Sequence, residues 1–304
     1  MNLKHFQFII CVAEEKSFTK ASQVLNVAQP YLSQYISNIE QQMGIVIFDR
    51  SVTPIHLTAA GEIFYTKAKE ILRVYQDMNL ELDDLKGLRI GEIVVGVSQI
   101  GATFIPKILP TFHKKFPHIQ VKIKECSAVK EIETLIINGN INIGIIPLLG
   151  SSQNLDYQII QQKRMMLALP IHHPIVKKSK KRSDEIYPYL SLSSLKEDWF
   201  VLPEKEQLAH LLLDKPFEEA GFSPNILCNT KTMDVANAIV ASGLGICFTL
   251  PEMLRDEYKD KIALFYMEEK YTVRNVALTY RKERYLSKIE QEFITLSKKI
   301  FQTK

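Results

Sequence analysis

The sequence predicts an α+β multidomain protein. It has a winged helix-turn-helix at the N-terminus, a long dimerising linker helix, and a two-lobed α/β unit for the remainder. Three observations predict it. Apolar residues in the first 57 positions recur at the three- and four-residue steps of short helices. Residues 64–85 carry an unbroken heptad seam. From residue 88 onward the pattern alternates between strand and helix. A chain of 304 residues, 46% hydrophobic, has material for two or three such domains.

The first helix is predicted from Leu3, Phe6, Ile9, Ile10 and Ala13, which share one face. Ser17 reads as the N-cap of a second, short helix over 18–25, with Phe18, Ala21, Val24 and Leu25 apolar. Asn26-Val27-Ala28 is the turn, and Pro30 suits the first turn of a third helix, where its missing N–H costs nothing. In that helix Leu32, Ile36, Ile39 and Met43 form one buried stripe, and Gly44 supplies the stop. The opposite face carries Tyr31, Ser33, Gln34, Ser37 and Asn38, small or polar groups able to donate and accept at base edges. A solvated helix face is the plain alternative. Residues 45–48 and 54–57 read as two strands of a wing that sets Arg50 near a phosphate.

Thr58 caps the linker helix. Its residues Phe64, Ala68, Ile71, Tyr75, Met78, Leu82 and Leu85 step by four and three in alternation, a 3.5-residue repeat that predicts a dimerising seam. Gly87-Leu88-Arg89 breaks the helix as a hinge. Beyond it, strands are expected at 93–97, 119–125 and 141–146 with helices between them, an order that implies a parallel sheet. A second unit begins near residue 163, with strands at 164–169, 199–202, 225–229 and 245–250 and helices at 208–220 and 233–242. The strand 273–280 and helix 285–301 return to the first unit. The expected boundaries are 1–58 for DNA binding, 59–87 for the linker and 88–304 for the sensor. Lobe I takes 88–162 and 268–304, and lobe II takes 163–267.

Charge is a poor guide to this organisation. The chain has 38 Lys and Arg against 34 Asp and Glu, a net +4. Yet residues 1–57 balance four cations with four anions, and residues 58–87 set four against six. The surplus therefore belongs to the C-terminal part. No apolar run reaches the roughly 18 residues of a membrane span. The patch at 8–13 is too short for a signal peptide and runs into Glu14, Glu15 and Lys16. Cys11, Cys126, Cys228 and Cys247 show no C-x-x-C spacing, so reduced thiols in a cytoplasmic protein are expected.

The run from Ser17 to Gln34, with Ile39-Glu40, Gly44, Phe48-Asp49-Arg50 and Leu57-Thr58-Ala59-Ala60-Gly61, resembles the N-terminal signature of LysR-type transcriptional regulators. Phe116-Pro117 and Gly243-Leu244-Gly245-Ile246 before Leu250-Pro251 resemble the effector-binding portion of that family. The resemblance implies a winged helix-turn-helix, a dimerising helix and a periplasmic-binding-protein-like sensor, assembled as a homodimer and usually a homotetramer. The implied partners are double-stranded promoter DNA, a small-molecule effector and, for an activator, RNA polymerase; no membrane and no enzyme activity are expected. By match to the motif, Gln29, Pro30, Ser33 and Gln34 face bases or backbone, and Thr19, Lys20 and Arg50 lie near phosphates.

There are departures from the family pattern. Gln34 stands where a basic residue is frequent, Tyr31 where a small one is common, and Thr53-Pro54-Ile55-His56 where extra cations are usual. Asn142 replaces a usual Asp. Few cations per head predict a shallow salt dependence of DNA binding.

In such a sensor the ligand lies between the lobes. The loop Ser98, Gln99, Ile100, Gly101, Ala102, Thr103 opens a helix, and its hydroxyls and amides suggest a carboxylate site, with Ser98 as a plain helix cap the alternative. Ser127, Pro147, Leu202, Thr230 and Thr249 are the matching candidates on other loops. These loops hold no Arg and little Lys, which disfavours a polyanion. No resident cofactor and no metal are expected, only a small-molecule co-inducer. His172-His173 is half a metal site at most, and the cationic run 177–182 reads as a solvated loop. An enzyme and a solute-binding transport protein are the rival classes. No G-x-S-x-G, H-E-x-x-H, P-loop or G-x-G-x-x-G is present to favour an enzyme, and the N-terminal 87 residues do not suit a transport protein.

Overall fold

The computed structural model describes residues 2–85, 91–148, 150–179, 184–204, 208–268 and 273–302. The chain divides into two compact units, Met1–Leu88 and Arg89–Lys304. The expected hinge at 87–89 and residues 180–182 of the cationic run lie outside the described residues.

The first unit contains α1 (Leu3–Glu15), α2 (Phe18–Val24), α3 (Gln29–Met43), β1 (Phe48–Asp49), β2 (His56–Leu57) and α4 (Ala59–Leu85). Local chemistry fixes each start. The Asn2 side chain caps α1 by accepting from the His5 amide at 3.2 Å, while the Asn2 amide donates to His5 Nδ1 at 2.8 Å. Ser17 caps α2 by accepting from the Lys20 amide, and Gly44 ends α3 in the left-handed region at φ 66°. Phe6, Ile9, Val12, Phe18, Leu32, Ile36, Ile39, Ile47 and Phe48 make the core of this unit. Met43, expected in the α3 stripe, is instead exposed. The wing strands contract to two residues each, because only Phe48↔Leu57 and Asp49↔His56 pair.

The second unit has two lobes. Lobe I carries β3 (Gly91–Val97), α5 (Gln99–Ala102), α6 (Ile105–Lys115), β4 (Ile119–Glu125), α7 (Val129–Ile137), β5 (Ile143–Pro147) and β6 (Leu155–Arg164). Lobe II follows with β7 (Met166–Pro170), β8 (Tyr189–Leu190), β9 (Trp199–Pro203), α8 (Leu208–Ala220), β10 (Asn225–Thr230), α9 (Met233–Ala241), β11 (Ile246–Thr249) and β12 (Ile262–Met267). The chain then returns to lobe I as β13 (Val273–Arg281) and α10 (Lys288–Gln302).

The strand order is β4-β3-β5-β13-β6 in lobe I and β10-β9-β11-β7-β12-β8 in lobe II. The expected parallel sheet is corrected to a mixed one. β3, β4 and β5 are parallel, but β13 runs antiparallel to both β5 and β6 because the chain re-enters lobe I from lobe II. β6 carries lobe I to Arg164, two residues beyond the expected boundary at 162.

Helices pack on both faces of each sheet and bury inner strands such as β5 and β7, while the edge strands β4 and β10 stay largely exposed. A buried polar knot holds α10 onto lobe I. Arg284 Nη2 lies 2.6 Å from Glu290 Oε1, and Glu290 Oε2 accepts from the Ser287 amide and hydroxyl. Asn142 Nδ2 donates to the same Glu290 Oε1 at 2.7 Å, while Asn142 Oδ1 accepts from the Val94 amide at 2.8 Å.

A DNA-reading face and an interlobe cleft

In the first unit, α2 and α3 are set by the core so that Thr19, Lys20, Gln29, Pro30, Tyr31 and Gln34 are exposed. Ser33 and Ser37 are half-buried. Gln34 Nε2 donates to Asn38 Oδ1 at 2.9 Å, so the two amides hold each other along the face. Tyr31 stands on an aromatic cluster with Phe8 and Tyr35, and its hydroxyl accepts from Lys4 Nζ at 3.3 Å. Lys4 also lies over the rings of Phe8, Tyr31 and Tyr35, 5.1–5.7 Å from their centroids. The α1 periodicity marks Lys4 only as polar and does not reveal this placement.

Arg50 and Ser37, both expected at the DNA, are bonded to each other within the unit. Arg50 Nη2 is 2.7 Å from Glu40 Oε2, its Nη1 donates to Ser37 Oγ at 3.0 Å, and its guanidinium lies over the Phe18 ring. Glu40 Oε1 in turn accepts from the Ile47 and Phe48 amides at 2.7 and 3.1 Å. Arg50 is thus a strut between the wing and α3.

The seam of α4 divides in two. Phe64 and Ala68 are 8% and 1% exposed and belong to the core of the first unit, with Phe64 against Phe6 at 5.9 Å. They are not seam residues, because α1 already covers that face. Tyr65 and Lys69 brace the same contact through Glu14. Farther along, Ile71, Tyr75, Met78 and Leu82 are 42–46% exposed and Leu85 is 82% exposed.

In the second unit a cavity of about 70 Å³ lies between the lobes. Gln99, Ile100 and Pro147 from lobe I and Leu202 and Thr230 from lobe II line it, as expected by position. The other expected residues do not. Ser98 is buried and caps α5, its Oγ accepting from the Gly101 amide at 3.1 Å. Gly101 lies against the β5 backbone, Thr103 Oγ1 donates to the Ile100 carbonyl, Ser127 faces solvent, and Thr249 is buried in β11. Sequence reasoning missed Lys231, Met233, Phe248, Met165 and above all Arg274. The expected lack of cations is therefore overturned. Arg274 arrives on β13 rather than on a loop after a parallel strand, and burial pushes its guanidinium pKa down.

His173 Nε2 lies 3.1 Å from Asp198 Oδ1, and its Nδ1 accepts from the Ile175 amide at 3.3 Å. Among the described residues, no three His, Cys, Asp or Glu side chains gather as metal ligands. None of the described helices is long and apolar enough to cross a membrane.

Comparison with known proteins agrees with both halves. Residues 3–62 match the model of the bacterial regulatory helix-turn-helix proteins of the lysR family, and residues 86–302 match the LysR substrate binding domain. The chain is 29% identical over 301 residues to the HTH-type transcriptional regulator AlsR of Bacillus subtilis, covering 98% of this chain and 95% of that one. It is 31% identical over 258 residues to a probable RuBisCO transcriptional regulator of Cyanidioschyzon merolae, covering 81% and 79%. A full-length OxyR variant from Pseudomonas aeruginosa superposes with a TM-score of 0.71 at 21% identity, covering 100% of this chain and 95% of that one. Full-length CbnR solved with its target DNA gives 0.64 at 20%, covering 99% and 100%. The chain belongs to the LysR family of helix-turn-helix transcriptional regulators, with an effector-binding domain of the LysR substrate-binding type.

Proposed function

We propose that this regulator binds promoter DNA as a dimer or tetramer and responds to a small monocarboxylate held between its lobes. The exposed polar groups of α3, Gln29, Tyr31 and Gln34, contact base edges, and Thr19 and Lys20 take adjacent phosphates. The apolar stripe Ile71, Tyr75, Met78, Leu82 and Leu85 of α4 pairs two copies, which gives the two reading heads that a two-fold operator requires. No resident cofactor or enzymatic step is invoked, and RNA polymerase is a partner if the protein activates. The organisation suits the cytoplasm.

One observation carries the carboxylate assignment: Lys231 and Arg274 face an otherwise largely apolar cavity. An apolar wall with two cations favours an anion with a hydrocarbon body. A carboxylate beside Arg274 offsets the desolvation that lowers its pKa. The small volume favours a compact ligand over a polyanion.

Two measurements test this reading. A gel shift on the DNA upstream of the protein's own gene is expected to show retardation. A thermal-shift series of short carboxylates and their matching amides is expected to stabilise only with the acids. Stabilisation by the amides alone sinks the carboxylate assignment.

A further inference from the structure

The short helix α5 is fixed to lobe I and reaches into lobe II. A Cβ added at Gly101 would lie 1.9 Å from the Ile145 carbonyl oxygen, so this helix rests directly on β5. Ile100 packs against the hydrophobic cores of both lobes. Gln99, one residue earlier, bridges the cleft: its Oε1 accepts from the Met233 amide at 3.2 Å. Met233 is the first helical residue of α9, whose N-cap Thr232 accepts from the Val235 amide at 3.3 Å. The amide that Gln99 takes is therefore one that the helix itself leaves over. It sits on the cavity wall beside Lys231 and Arg274. A second bridge joins the lobes where Lys163 of β6 pairs with Glu252, in the short helical turn after β11.

We propose that Gln99 is a built-in competitor for the ligand of the cleft. It occupies the Met233 amide and ties the lobes together, so a ligand oxygen reaches that amide only by displacing it. This rests on the carboxylate reading above. A side-chain amide is a neutral acceptor, whereas a carboxylate next to two cations makes a stronger, charge-assisted bond. Gln99 thereby sets a threshold that anionic ligands clear and neutral ones of the same size do not. The lobes respond because the ligand breaks a contact that holds one of their arrangements, which is the differential interaction a conformational response requires.

The test compares the full-length protein with Gln99→Leu and Gln99→Glu. Leu keeps the bulk and removes the acceptor, and Glu supplies a charged acceptor in its place. Formate is the probe, being the smallest carboxylate. In Gln99→Leu, amide hydrogen exchange at Met233 should rise about fivefold, the equivalent of one net hydrogen bond. Exchange at Val235, held by Thr232, should stay unchanged. The half-saturating formate concentration should fall about fivefold in Gln99→Leu and rise in Gln99→Glu.

Unchanged exchange at Met233 in Gln99→Leu overturns the bridge. Weaker formate binding in Gln99→Leu overturns the competition and makes Gln99 a ligand contact. Failure of formate to bind any of the three proteins overturns the carboxylate reading and the competition with it, while the exchange at Met233 still decides the bridge.

Discussion

The Arg50 guanidinium sits 2.7 Å from the Glu40 carboxylate, so the cation of the wing is already partnered within its own unit. Glu40 carries more of this arrangement than Arg50, because it also takes the Ile47 and Phe48 amides. Glu40→Ala should destabilise the N-terminal unit by about 2–3 kcal/mol, since buried donors lose a charged acceptor. Arg50→Ala should cost about 1 kcal/mol, because its side chain is 36% exposed. Urea unfolding of the two variants measures the difference, and equal losses would contradict it.

Neutral charge over residues 1–57, together with the Arg50–Glu40 pair, leaves few cations for phosphates. The log-log salt slope of operator binding should therefore be much shallower than about −10 per dimer. Amides at helix N-termini are expected to supply part of the grip instead. A titration between 50 and 200 mM salt, the approximate span over which counterion release is diagnostic, gives the slope directly.

The two halves of α4 should respond differently to substitution. Phe64→Ala opens a cavity in the core of the first unit and should cost about 3–5 kcal/mol of folding stability. Met78→Lys places a charge on an exposed stripe and should leave folding within about 0.5 kcal/mol while weakening self-association. Sedimentation equilibrium and thermal melting separate the two effects.

Asn142 binds the buried Glu290, and that carboxylate explains why an amide is needed here. Its Nδ2 donates to the Glu290 carboxylate, so Asn142→Asp replaces a donor with a like charge in a buried site. A loss of about 2–4 kcal/mol is expected. Adding Glu290→Gln should recover only part of it, because the new amide donates to the new carboxylate but Arg284 loses its buried carboxylate partner. Denaturant midpoints of the single and double variants decide; a fully additive double variant refutes the pairing.

Burial pushes the Cys247 thiol pKa far up, with its Sγ 3.5 Å from Asn237 Oδ1. The folded form therefore holds the thiol proton more tightly than the unfolded chain does. Stability from this group is complete below about pH 8.5 and declines as pH rises beyond it, because only the unfolded chain then loses the proton. Cys247→Ala should flatten that alkaline decline. Burial likewise raises the pKa of Cys126 and Cys11. Cys228 and Cys247 both lie level with Val201, one strand to either side of it. Two strand spacings put them about 9–10 Å apart, beyond disulfide reach. Iodoacetamide should leave Cys247 unlabelled in the folded protein.

Local signals in the sequence carried the first unit well. The Ser17 cap, the Pro30 helix start and the Gly44 stop each act through neighbouring backbone, and each is found in place. The strict heptad misled at Phe64 and Ala68, because periodicity records which face is apolar and not which partner covers it. The cleft was half legible. Gln99, Ile100 and Pro147 follow strands of lobe I in the expected way. Arg274 was not legible, because it enters on a strand whose place in lobe I depends on the crossing from lobe II. Of the two roles the sequence leaves open for Ser98, the structure shows the cap: a hydroxyl before a helix is satisfied first by that helix.

Ile100 touches two hydrophobic cores at once, and that single side chain bears on how the sensor comes apart. Separating the lobes exposes apolar surface on each, so neither can melt without removing cover from the other. Ligand sensing and thermal unfolding then draw on the same reserve of cohesion. A sensor tuned to open easily is, by the same contact, one that denatures early.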